Sequence, residues 1–159
     1  MAVIVYLPNK GVKEVSLGPE SKIGELIKAA SPATVGFTDE QEDQEVYLLD
    51  ESDELSKDSK IKDHKAFVIH RCKKVMVTIM YPGKHPYTHA YPPSTLLKHI
   101  RKDAIKKFNI DDVAGQNLEI FENENQNSKL NRNYPVGNFT DYPTCGVKLY
   151  LADPNAFAG

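Results

Sequence analysis

Gly159 has the chemistry that is easiest to name in this chain: its main-chain carboxyl closes a tail, Asp153-Pro154-Asn155-Ala156-Phe157-Ala158-Gly159, that follows an alternating apolar run. A carboxylate joins an amine in water only after activation, and glycine, lacking a Cβ, lets its backbone pass through a narrow channel to a reacting partner. The tail therefore reads as an end built to be joined to something. Seven extended residues span at most about 23–25 Å, enough to thread from a domain surface into another protein's active site. Pro154 biases Asp153 toward an extended backbone. Phe157 is the tail's one large apolar group, and it is assigned to a partner's pocket in preference to docking back on its own domain.

Other reactive side chains give weaker patterns. His64, His70 and Cys72, or His85 and His89, supply neither a paired Cys-x-x-Cys nor a His-Glu-x-x-His helix, so no metal is expected. No glycine-rich phosphate loop, nucleophile elbow or convergent His-carboxylate set stands out, and Gly83, Gly137 and Gly146 fall where turns would need them. The chain is expected to be a substrate of enzymes and not itself an enzyme. Lys98, His99, Arg101, Lys102, Lys106 and Lys107 surround an apolar stripe, as a solvated helix face does; their functional reading is docking to an acidic enzyme surface.

Composition narrows the classes further. The 159 residues are 40% hydrophobic and 26% charged, ordinary for a globular protein, and no apolar run approaches the length of a membrane span. Residues 1–73 carry 10 basic and 14 acidic side chains, a net of −4, whereas residues 74–159 carry 10 and 8, a net of +2. That excess is too small for a phosphate-backbone partner. The N-terminus opens directly into a strand with no basic leader, so a cytoplasmic protein is expected. Cys72 and Cys145 border apolar runs and read as reduced packing thiols.

The elements that carry the tail come in two passes of one order. Val3, Val5 and Leu7 alternate, Asn9-Lys10-Gly11 turns, and Val12 to Leu17 return as a hairpin. Pro19-Glu20-Ser21 opens a helix whose Ile23, Leu26, Ile27 and Ala30 share one face until Ser31-Pro32 stops it. A polar loop of about 14 residues, 31–44, leads to a strand at Glu45 to Leu49, and Ala66 to Ile69 closes the unit. Leu55 and Ile61 anchor the intervening loop.

The second pass starts at Lys74: Val75, Val77 and Ile79 alternate, Pro82-Gly83-Lys84 turns, and Tyr87 to Tyr91 return. Pro92-Pro93-Ser94 starts a helix striped by Leu97, Ile100, Ala104 and Phe108. Leu118, Ile120 and Phe121 form a third strand, an Asn-rich loop runs over 123–138, and the last strand covers Cys145 to Ala152. A helix joining two hairpins of one mixed sheet makes an α+β two-layer unit, here two tandem β-grasp domains at 1–73 and 74–152, with the conjugation tail at 153–159. The near absence of a linker predicts a fixed two-lobed body.

The run from Pro19 to Ala29 resembles the lead into ubiquitin's helix, and Leu55 to Arg71 resembles its closing segment. As a tandem with one tail the chain is similar to the interferon-induced two-domain modifier of vertebrates, and closer still to BilA-type modifiers of bacterial antiphage conjugation operons. The resemblance implies that a terminal glycine is adenylated at the expense of ATP, passed as a thioester to an enzyme cysteine, and attached to an amine of a target, with no cofactor bound to the modifier. It implies three enzyme partners: a ubiquitin-type activating enzyme, a conjugating enzyme and a deconjugating metalloprotease. The target could be a phage structural protein, and neither nucleic acid nor membrane is a partner. Ubiquitin and most relatives end in Gly-Gly, so attachment carries over to Gly159 alone, with Ala158 beside it. Whether a longer precursor is trimmed at Gly159 stays open. By the same resemblance Ile4, Tyr47, Val68 and His70 would form a partner surface on the first sheet, while Lys148 and Tyr150, which alternate with the core, are expected on the face beside the tail. Two other classes compete: a non-covalent β-grasp adaptor, and a sulfur carrier with a C-terminal thiocarboxylate.

Overall fold

The computed structural model describes residues 1–30 and 44–157, so all but the last residue of the expected 31–44 loop lies outside the described residues. The first lobe holds β1 (Ala2–Leu7), β2 (Gly11–Ser16), α1 (Ile23–Ala30), β3 (Glu45–Leu48) and β4 (Ala66–His70). Its sheet runs in the order β2-β1-β4-β3, with β1 and β4 parallel at the centre. The alternation read from the sequence sets the two faces: Val3, Val5, Phe67 and Ile69 turn inward and pack with Ile23, Leu26, Ile27 and Ala30 of α1. Ile61 is fully buried against the same core and Leu55 partly so, as expected of loop anchors.

The second lobe holds β5 (Val75–Met80), β6 (Tyr87–Tyr91), α2 (Leu97–Lys107), α3 (Asp112–Gly115), β7 (Glu119–Phe121) and β8 (Gly146–Ala152), with sheet order β6-β5-β8-β7. Leu97, Ile100, Ala104 and Phe108 bury one side of α2 over Val75, Val77, Ile79, Leu149 and Leu151. The repetition reaches small details. Tyr47 bridges to Glu54 and Phe121 to Lys129, and in both lobes the next residue donates its N–H back to the strand, Leu55 to Val46 O and Leu130 to Ile120 O. The short α3, capped by Asp111 Oδ1 accepting from the Val113 N–H at 2.9 Å, has no counterpart in the sequence reading, which saw no periodicity in so brief a segment.

The lobes touch extensively. The β1–β2 turn places Asn9 and Lys10 at φ 58° and 67°, and the second lobe holds this turn: Lys10 N donates to Asn138 O at 2.6 Å, while Asn138 Nδ2 donates to Leu7 O and Gly11 O at 2.8 and 2.9 Å. Asn138 is buried, so each of these groups would lose its partner if the lobes parted. On the other side Asp50 N donates to Ser94 O at 2.9 Å, Ser94 Oγ donates to Glu51 O, and His99 meets Asp50 at 2.9 Å. A short joint and these hydrogen bonds hold the two lobes against each other.

Two expectations are corrected here. Cys72 and Cys145 are not separate thiols but a disulfide, with Cα atoms 5.7 Å apart. Cys72 precedes β5 and Cys145 precedes β8, and because these strands are parallel neighbours, with Met76 opposite Gly146, both residues arrive at the same end of the sheet. Gly137 serves no left-handed turn. It is small because Pro93 and His70 crowd it: an added Cβ would fall 2.7 Å from Pro93 O and 2.9 Å from His70 Cδ2. Gly146 opens β8, while Gly83 does adopt the positive φ, 79°, that its turn requires.

Candidate functional site

The tail leaves from β8, an interior strand. Leu149 and Leu151 face the core, which turns Lys148, Tyr150 and Ala152 to the opposite side of the sheet. The parallel register sets Thr78 beside Lys148 and Met80 beside Tyr150. Lys148 is exposed, with its Nζ 5.8 Å from the centre of the Tyr150 ring, and Met76, on the same face, is 48% exposed. Lys148 and Tyr150 thus lie together on the outer face. Met76 and Met80 complete it and were missed from sequence, because an alternating strand with methionine on its second face gives no sign that this face is open. Next to Tyr150 and Ala152 a groove of about 620 Å³ runs along Met80, Tyr81, Pro82 and Glu124.

Beyond β8, Asp153 Oδ1 accepts from the Asn155 N–H at 2.9 Å and a single 3-10 turn covers Pro154–Phe157. The expected extended run is therefore wound at its start, because an Asp one residue before Pro and two before a backbone N–H favours a local turn over free chain. The side chain of Phe157, together with Ala158 and Gly159, lies outside the described residues.

The surface expected on the first lobe is not available. Ile4 is 41% exposed, but Tyr47, Val68 and His70 are each about 1% exposed. Register places all four on one face, with Ile4 opposite Ala66, Tyr6 opposite Val68 and Tyr47 opposite Val68. The second lobe packs against that face. Tyr134 meets Tyr6 edge-on at 5.1 Å, and His70 Nε2 lies 2.8 Å from Gly137 O and 3.1 Å from Thr140 O. His70 Nδ1 accepts from the Cys72 N–H at 3.0 Å, so the ring proton sits on Nε2 and is shared between the two carbonyls. Burial holds the imidazole below its ordinary pKa, against the upward pull of the carbonyls of Thr140 and Gly137 and of Asp141. The Tyr47 hydroxyl is pushed up to about 12, by burial first and then by Glu54 and Glu45. His70 thus joins the lobes, and Tyr47 and Val68 are buried beside it on the same face.

The basic run on α2 divides into several jobs. Arg101 donates to Leu118 O at 2.6 Å and Gly115 O at 2.8 Å, and His99 is held by Asp50, leaving Lys98, Lys102, Lys106 and Lys107 toward solvent. Of the histidine and cysteine sets, Cys72 is consumed by the disulfide and His70 by the lobe interface.

With this geometry in hand, the family comparison decides the lineage. Residues 76–153, from the second residue of β5 to the first residue of the tail, match the model of the BilA ubiquitin-like domain 2. The second lobe is a BilA-type ubiquitin-like domain. No curated protein matches the sequence. Among solved structures, the chain is similar to a ubiquitin of Caldiarchaeum subterraneum (12% identity, 49% of this chain and 90% of that one, TM-score 0.38). It is also similar to a design based on ubiquitin (14%, 50% and 87%, TM-score 0.38) and to an N-terminal ubiquitin-like domain solved in solution (8%, 50% and 74%, TM-score 0.37). Among the described residues, no helix is long and apolar enough to cross a membrane.

Proposed function

We propose that this chain is a protein modifier whose Gly159 carboxyl is the reacting group. ATP-dependent adenylation by a ubiquitin-type activating enzyme activates it, a thioester on an enzyme cysteine carries it, and a target amine receives it in an isopeptide bond. A conjugating enzyme and a deconjugating metalloprotease complete the cycle, and the setting is bacterial antiphage defence, with a phage structural protein as the target. The observation that carries this reading is the BilA ubiquitin-like domain 2 match over 76–153, which lies on the lobe that bears the tail. The lobe boundaries are 1–73 and 74–152.

In this reading the chain binds no cofactor and is not an enzyme. It provides the acyl group, and the activating enzyme consumes the ATP. The outer face bearing Met76, Lys148 and Tyr150 receives the enzymes, Asp153 and Pro154 set the tail's exit, and Phe157 fills a pocket that draws Ala158 and Gly159 into the active site. The first lobe contributes through its rigid attachment. The protein acts in the cytoplasm, where the Cys72–Cys145 bond meets a reducing pool and the burial of Cys72, 2% exposed, shields it.

The test is incubation with ATP and the cognate activating enzyme, read by intact-mass spectrometry. Wild type is expected to gain a thioester-linked enzyme adduct and then target adducts, and Gly159→Glu neither. Partners retained by Gly159→Glu with full cellular activity would instead establish the non-covalent adaptor.

A further inference from the structure

The second sheet stops at β6, so among the described residues one row of that strand's backbone N–H and C=O groups has no neighbouring strand. Between this edge and α2 lie two adjoining cavities of about 490 and 300 Å³ that share Tyr87, Lys107 and Asn109. Lys106 and Asp103 line the first, Lys84 and His85 the second. Among the described residues Asp103 is the only carboxylate lining them, and it is already engaged. It accepts from Tyr91 OH at 2.9 Å, and that hydroxyl pairs with Tyr87 OH at 2.8 Å. Burial and these hydrogen bonds raise the Tyr91 pKa, which keeps its proton on the oxygen facing Asp103.

The positive charge has no such internal use. Lys84, Lys106 and Lys107 are exposed, and among the described residues none of them pairs with a carboxylate. Beside them, Tyr87, His89 and Tyr91 form a ring stripe along β6 with neighbouring centroids 6.2 and 4.9 Å apart. An open strand edge offers backbone pairing, the rings offer contact to alternate side chains, and the three ammonium groups select the sign of the rest.

We propose that the β6 edge and its groove against α2 take up an extended acidic peptide segment of a partner protein, which adds a fifth strand beside β6 and sets carboxylates against Lys84, Lys106 and Lys107. This contact is non-covalent, stands on the opposite side of β5 from β8, and does not depend on the tail's chemistry.

The experiment titrates the full-length, isotope-labelled chain with a capped hexapeptide alternating glutamate and valine, followed by amide chemical shifts. Shifts concentrated on Tyr87–Tyr91 and on residues 103–109 are expected. The paired substitution Lys106→Glu with Lys107→Glu should weaken binding by about tenfold or more, as should replacing each peptide glutamate by lysine. Both lysines are exposed, so the variant keeps its fold. A peptide N-methylated at alternate residues loses its pairing donors and should fail to bind at all. The proposal is overturned by an absence of shifts at millimolar peptide, by shifts on the Lys148 and Tyr150 face instead, or by equal binding of the N-methylated peptide. Tighter binding of a uridine octamer to the same residues overturns it in favour of a nucleic-acid surface.

Discussion

His70 shows how one side chain is committed by its surroundings. Its Nδ1 is bound to a backbone N–H and its Nε2 proton to two carbonyls of the other lobe, which together demand the neutral ring. Unfolded, the imidazole takes a proton near its ordinary value of 6.5; folded, only at lower pH. The unfolded chain therefore binds more protons in that interval, and stability rises with pH across it. The contribution is complete above about pH 6.5, falls as pH drops through that value, and levels off beneath the folded pKa. Urea unfolding at pH 7.5 and 5.5 should show a loss for wild type that is smaller in His70→Gln, which keeps a donor but cannot titrate. An equal loss in both proteins would assign the acid sensitivity elsewhere.

Among the elements, the 3-10 turn Val136–Phe139 does the most joining. It inserts Asn138 into the β1–β2 turn and presses Gly137 between Pro93 and His70. Gly137→Ala must displace backbone, since the new methyl would fall 2.7 Å from both the Cβ and the carbonyl oxygen of Pro93, and a loss of about 1–3 kcal/mol in urea unfolding is expected. This element was invisible in the sequence, where it sits in an Asn-rich stretch that reads as loop. The strands were legible because their alternation is set by a core within the same lobe: Val3 and Val5, or Val75, Val77 and Ile79, announce which side faces inward. Tyr47, Val68 and His70 show the limit of that signal. Period two tells which residues share the second face of a sheet, yet nothing local tells whether water or another lobe lies over it. Lys148 and Tyr150 belong to the same kind of face, and there solvent does reach it.

At the level of the whole chain, the disulfide and the lobe interface are separable. The bond closes a loop between residues 73 apart, and opening it frees the unfolded chain, so reduction should lower stability by roughly 2–4 kcal/mol in urea. The contacts of Asn138, His70 and Asp50 do not use the sulfur atoms, and small-angle scattering of the reduced, folded protein should match the oxidised profile. A broadened distance distribution after reduction would show that the bond, and not the interface, fixes the lobes. Neither cysteine announced its partner from the sequence, because their proximity follows from the parallel pairing of β5 and β8, which forms only when the whole second sheet does.

That same pairing bears on what happens when something pulls. A load applied through Ala152 runs along β8, whose two flanks are ladders, five residues deep toward β5 and three toward β7. Force along a strand's own axis must shear many hydrogen bonds at once, whereas force across a sheet's margin peels them one at a time. A load on the C-terminal end of this lobe therefore works against both ladders together.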